Sequence, residues 1–159
     1  MKNLNIAVFM PVCNELEQTV DVSIKNIALR INEAREIGCY NCSFYLGIGV
    51  NGPYSDKEYN RVRELVDRDR DLFHGTHIDI INLPGKPAKR TKEKTLNLLA
   101  EGANRYYSSS GGFNVYIGTD IKVYRPPQSI ADLIKATIPS IEKKNNPRFV
   151  GASIVPYPR

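Results

Sequence analysis

What this sequence lacks narrows its function first. The apolar run from Ile6 to Cys13 is only eight residues long, is broken by Pro11 and leads into Asn14-Glu15. It is therefore neither a secretory signal nor a membrane span, and a cytoplasmic location is the expectation. Cysteine is scarce and odd in number, at Cys13, Cys39 and Cys42. The single Cys-x-x-C at 39–42 lacks the second pair that a zinc site of that kind needs, so the cysteines read as structural thiols. The Asn41-Cys42-Ser43 sequon carries no weight without secretion. No low-complexity tract is present, and no Walker A or Gly-x-Gly-x-x-Gly pattern occurs, which argues against a P-loop enzyme and a dinucleotide-binding Rossmann domain.

What is present is enough for one folded domain: 159 residues, 42% of them apolar. The net charge of +5 favours an acidic partner, but the excess is local. Residues 85–94, Gly-Lys-Pro-Ala-Lys-Arg-Thr-Lys-Glu-Lys, hold five of the 22 basic residues, and the rest of the chain carries only +1. A run of this kind commonly lies on a solvated face or meets polyanions without specificity. Here it follows a strand-like run ending in Leu83-Pro84-Gly85 and precedes an amphipathic segment. It therefore sits where a strand turns into a helix, and helix starts bind anions through free backbone N–H groups and the helix dipole.

The continuous apolar character of residues 5–12 predicts a strand buried on both faces of a parallel sheet. Asn14 with Glu17 resembles a capping arrangement for a helix that places Val20, Ile24, Ile27, Ala28, Ile31 and Ala34 on one face and stops near Gly38. A second strand at 43–50 closes in Asn51-Gly52-Pro53-Tyr54, and Ser55 with Glu58 predicts a capping box for a helix running to about Phe73. The third strand is His77 to Leu83. After the basic turn comes a helix whose apolar side includes Leu98, Leu99, Ala103 and Tyr106. A loop at 108–112 resets the chain for a fourth strand, Phe113 to Gly118. Ser129 then opens a helix with Ile130, Leu133, Ile134, Ile138 and Ile141 at helical spacing, and a fifth strand is predicted at Phe149 to Val155.

Strands alternating with helices predict right-handed βαβ units in a single domain over 1–159, an α/β fold layered α/β/α around a mainly parallel sheet. Ligands of such sheets bind beyond the carboxyl ends of the strands, which selects the loops at 11–15, 51–56, 84–90 and 119–125. Asn14, Glu15, Asn51 and Asp56 offer polar groups for a base and ribose. Lys86, Lys89 and Arg90 offer positive charge for phosphates, and Asp120 is a carboxylate at a strand end.

The order of these motifs resembles the family 2 glycosyltransferases of the GT-A, or nucleotide-diphospho-sugar transferase, fold. Ile6 to Glu15 is similar to that family's opening strand ending in Pro-x-x-Asn-Glu. Val50-Asn51-Gly52 through Ser55-Asp56 is similar to its Asp-Asp-Gly-Ser-x-Asp turn, with Asn in place of one acid and a slightly longer turn. Pro84-Gly85-Lys86-Pro87-Ala88 resembles its Gly-Lys-x-x-Ala segment, and Tyr116 to Val123 falls where the family has its Asp-x-Asp strand end. The resemblance covers the whole chain but half of a typical member, so the chain reads as the donor-binding N-terminal half of a longer GT-A domain.

The resemblance implies that Pro11, Asn14, Glu15 and Asn51 surround the base and ribose of a sugar nucleotide, with UDP taken from the family's habit. It implies that Lys86 and Arg90 face the base or diphosphate, and that Asp120 lies near ribose or a Mn2+ or Mg2+ ion. Lys122 stands where the family's second, metal-binding Asp is found. A lysine charge about 4 Å from the diphosphate contributes about 4 kcal/mol at an effective dielectric near 20, roughly half of a dication's field. The implied reaction is sugar transfer from the nucleotide donor to a hydroxyl acceptor, with a carboxylate base that residues 1–159 do not supply. Rival readings are a sugar-phosphate nucleotidyltransferase, whose Gly-rich first turn is missing here, and a noncatalytic nucleotide- or polyanion-binding module. Specific nucleic-acid recognition ranks last, because no aromatic residue interleaves with the basic run to stack bases.

Overall fold

The computed structural model describes residues 2–15, 17–35, 40–85, 91–119 and 129–142. The elements alternate as the sequence predicts: β1 (Lys2–Val12), α1 (Glu17–Ala34), β2 (Tyr40–Gly52), α2 (Ser55–Arg68), a 3-10 turn at Arg70–Phe73, β3 (Thr76–Pro84), α3 (Thr91–Tyr106), β4 (Phe113–Gly118) and α4 (Ser129–Glu142). The four strands form one all-parallel sheet in the order β3-β2-β1-β4. The predicted fifth strand at 149–155 lies outside the described residues.

The alternation of side chains along β1 explains the layers. Leu4, Ile6, Val8, Met10 and Val12 point to one face, where they meet Ile24, Ile31, Val62, Val66, Ile130 and Ile134 from α1, α2 and α4. Ala7 and Phe9 point to the other, where they meet Leu99, Ala103 and Tyr107 on and after α3. Right-handed crossovers produce this arrangement: β1-α1-β2-α2-β3 steps one way across the sheet with its helices on one face, and β3-α3-β4 steps back with its helix on the other. The fold is therefore α/β in three layers. Each fully buried aliphatic side chain in these clusters contributes about 1.5–3 kcal/mol.

The strands run longer than their apolar cores. β1 and β2 pair from Lys2↔Tyr40 to Val12↔Val50, taking in Asn3, Asn5 and Asn41, which are poor strand formers. Side-chain hydrogen bonds make that possible: Asn5 Nδ2 donates to Asn114 Oδ1 at 2.9 Å and Asn41 Nδ2 to Asn3 Oδ1 at 3.2 Å. α2 is shorter than predicted. It stops at Arg68, and the following 3-10 turn buries Phe73 under α1. On α3 the buried row is Leu99, Ala103 and Tyr107, one turn apart, whereas Tyr106 is 44% exposed. Tyr107 takes the interior place because its hydroxyl reaches the Ile6 and Ser43 carbonyls at 3.2 and 3.0 Å.

Two glycines let backbone come close. A Cβ on Gly49 would lie 2.3 Å from Thr95 Cγ2, so glycine there is what allows the first turns of α3 to lie on β2. Gly112, at φ +99°, would place a Cβ 2.1 Å from the Asn3 carbonyl oxygen.

Candidate functional site

The carboxyl ends of the four strands bring distant loops to one edge of the sheet. β1 ends at Val12, with half-buried Pro11 paired to Gly49, and the chain continues through Cys13, Asn14 and Glu15. Asn14 adopts a left-handed backbone, φ 51°, uncommon for a residue with a side chain. It does not cap α1, since a capping residue has an extended backbone and directly precedes the first helical residue. Its side chain is exposed, and its N–H donates to Glu58 Oε2 at 3.1 Å.

The same bond accounts for a second departure from the sequence pattern. Ser55 is the first residue of α2 rather than its cap; Tyr54 holds the cap position without a side-chain hydrogen bond. Glu58, only 9% exposed, turns away from its own helix start to hold the loop after β1. A capping box and an inter-loop tie use the same Glu, and the neighbouring loop decides between them.

Asn51 closes β2 and is 4% exposed; its Nδ2 donates to the fully buried Thr95 Oγ1 at 3.2 Å. It thus joins β2 to α3 beneath the rim. Asp56, exposed on the first turn of α2, accepts from Asn82 Nδ2 of β3 at 2.6 Å. Asn82 Oδ1 is buried and has no hydrogen-bond partner among the described residues. At the end of β4, the N–H and Oγ1 of Thr119 both donate to the Phe9 carbonyl, at 2.8 and 2.9 Å, fixing the residue that precedes Asp120 against β1.

Of the residues singled out from the sequence, Pro11, Asn14, Glu15 and Asn51 lie at this edge, Asn14 on the surface and Asn51 beneath it. Lys86, Arg90, Asp120 and Lys122 lie outside the described residues. The residues that flank them, Gly85 at φ 134° and Thr91, sit at the end of β3 and the start of α3, where Lys92 and Lys94 are exposed. Glu58, Asn82, Thr95 and Tyr54 belong to the same edge and were not singled out as site residues. Position on the loop-proximal turns of α2 and α3 was the available signal for Glu58 and Thr95, but their partners are fixed only by the packing.

The displaced pKa values fall elsewhere. Burial, reinforced by a 2.6 Å hydrogen bond to Asp79, pushes the Tyr45 phenol well above its ordinary value, and burial raises Tyr107 to about 12. Both rings lie toward the amino-terminal halves of the strands, in a stack with His77 and Tyr106. Burial also raises the Cys42 thiol, which packs against the core as a free cysteine. These groups lie in the interior, and the remaining displaced pair, Asp69 lowered by its hydrogen bond to Arg68, lies at the far end of α2.

Among the described residues no group of three or more His, Cys, Asp or Glu side chains could hold a metal ion, and no helix is long and apolar enough to cross a membrane. No family model, no curated protein and no solved structure matches the chain.

Proposed function

We propose that this chain binds a nucleotide-diphospho-sugar at the carboxyl edge of its sheet, as the donor-binding part of a family 2 glycosyltransferase-like protein of the GT-A type. The observation that carries the reading is the all-parallel order β3-β2-β1-β4, which gathers Asn14, Glu15, Asn51 and Asp56 at one edge with Gly85, Thr91 and Thr119, the described residues next to the basic run and to Asp120. A parallel sheet takes its ligand there because the helix starts that follow the strands point free N–H groups outward. In this reading Asn14 and Glu15 meet base and ribose. Lys86 and Arg90 meet the diphosphate, and Asn51 sets the spacing between β2 and α3 that frames the site. An acceptor hydroxyl displaces the nucleoside diphosphate from the sugar, whose departing charge the basic loop stabilises; none of the described residues is assigned as the base.

Calorimetric titration of the chain with UDP, GDP and a short DNA duplex tests this. Saturable binding of one diphosphate, with a shallow salt dependence, is the expected result. Binding of DNA alone, falling steeply with salt, would overturn it in favour of a polyanion-binding module. The same titration with Mn2+ reads the ion: a requirement for it that Asp120→Ala abolishes supports a metal at Asp120, and binding without it that Lys122→Ala weakens supports Lys122 in the metal's place.

A further inference from the structure

We propose that Tyr54 is the stacking platform for the base of the bound nucleotide; the inference rests on the nucleotide site proposed above and adds a residue to it. Tyr54 is 64% exposed, the most exposed of the large apolar and aromatic side chains in the described residues. Of the other exposed rings, Phe113 opens β4 and so lies at the opposite, amino-terminal edge of the sheet, and the tyrosines on the sheet and its helices are engaged. Tyr106 stacks on His77 at 4.2 Å, Tyr116 stacks on Phe9 at 5.8 Å and bonds Asn104 through its hydroxyl, and Tyr59 lies under the Arg63 guanidinium. Among the described residues the Tyr54 ring makes no such contact, and neither face is taken by another ring or a guanidinium.

Its backbone, by contrast, is held. Gly52, at φ 107°, and Pro53 turn the chain out of β2, and the Tyr54 carbonyl accepts the Glu58 N–H at 3.1 Å as the first hydrogen bond of α2. The first turn of α2 is tied on both sides, through Glu58 to Asn14 and through Asp56 to Asn82. The ring therefore projects from a fixed Cα, three residues after Asn51 and at the edge where the sheet takes its ligand. A tyrosine has two side-chain torsions to immobilise, so stacking costs little conformational entropy. Every base has a π-face, so such a platform accepts UDP and GDP alike and strengthens binding without choosing the base.

The test uses the whole chain. Tyr54→Ala is expected to weaken UDP and GDP binding about tenfold, to leave pyrophosphate binding unchanged, and to leave the melting temperature nearly unchanged because the ring is largely exposed; Tyr54→Phe keeps parental affinity. Tyr54→Trp introduces the chain's single tryptophan, whose fluorescence is expected to be quenched by UDP and uridine but not by pyrophosphate. Parental UDP affinity in Tyr54→Ala overturns the platform and leaves the nucleotide site standing. Equal loss of UDP and pyrophosphate also overturns it, as a loop defect rather than a lost stack. Failure of the parent chain to bind any nucleotide removes the site and the platform together.

Discussion

The Glu58 carboxylate on α2 accepts the backbone N–H of Asn14 at 3.1 Å, joining two loops that lie 44 residues apart in sequence. Asn14 sits there in a left-handed backbone, and the bond gives its N–H an acceptor on α2. The β1–α1 and β2–α2 loops are thereby one unit, so whatever one loop binds, the other helps to position.

Removing that acceptor should be felt in both loops. Glu58→Ala is expected to cost about 1.5–3 kcal/mol in urea unfolding, the range for a hydrogen bond to a charged group, and to raise hydrogen exchange at the Asn14 amide. It is also expected to weaken nucleotide binding. Glu58→Gln keeps an acceptor of the same shape and should recover most of the exchange protection. Unchanged exchange at Asn14 in Glu58→Ala would show that the loop is held by other contacts.

The approach of α3 to β2 depends on the absence of a side chain at Gly49. Gly49→Ala places a methyl 2.3 Å from Thr95 Cγ2 and is expected to destabilise by about 1–3 kcal/mol. Thr95→Ser removes that methyl while keeping the oxygen that receives the Asn51 hydrogen bond. In a double-mutant cycle by urea unfolding, the serine should offset part of the alanine's cost, with a coupling of about 0.5–3 kcal/mol. Simple additivity would mean that α3 shifts as a body.

The two buried phenols predict a loss of stability at alkaline pH. Tyr45 and Tyr107 have folded pKa values above their ordinary value of 10.0, so their contribution is complete below pH 10.0 and is lost as pH rises beyond it, through about 12 for Tyr107. Denaturation midpoints followed across that range should fall. Tyr45→Phe is expected to flatten the fall and, by leaving Asp79 with His77 alone, to cost about 0.5–1.5 kcal/mol at neutral pH. A decline as steep as the parent's would place the alkaline sensitivity elsewhere.

Periodicity was a sound guide wherever one face of an element is buried. The apolar stripe of α1, Val20, Ile24, Ile27, Ala28, Ile31 and Ala34, is buried in full, because six positions at helical spacing leave only one way to hide them. β4 runs over Phe113–Gly118 as read, bounded by glycine on both sides. Legibility fell at element ends, where polar side chains have several partners within reach. Tyr106 and Tyr107 could each have filled the interior place on α3, and the Ile6 and Ser43 carbonyls favoured the second.

The sequence by itself determined the alternation of strands and helices, the layered α/β class and the loops that gather at the carboxyl edge, because these follow from local spacing and from the handedness of the crossovers. Tertiary structure alone decided the use of the polar residues in those loops. Asn51 turns inward to Thr95, Asp56 receives Asn82, and Glu58 leaves its own helix start for Asn14. Glu58 has a local partner in the capping pattern with Ser55, whereas the partners of Asn51 and Asp56 lie on other elements and leave no signal in the sequence. Packing the helices on the sheet brings these partners within 3.2 Å, and for Asn51 and Thr95 the bond is shielded from water, where a hydrogen bond is electrostatically stronger.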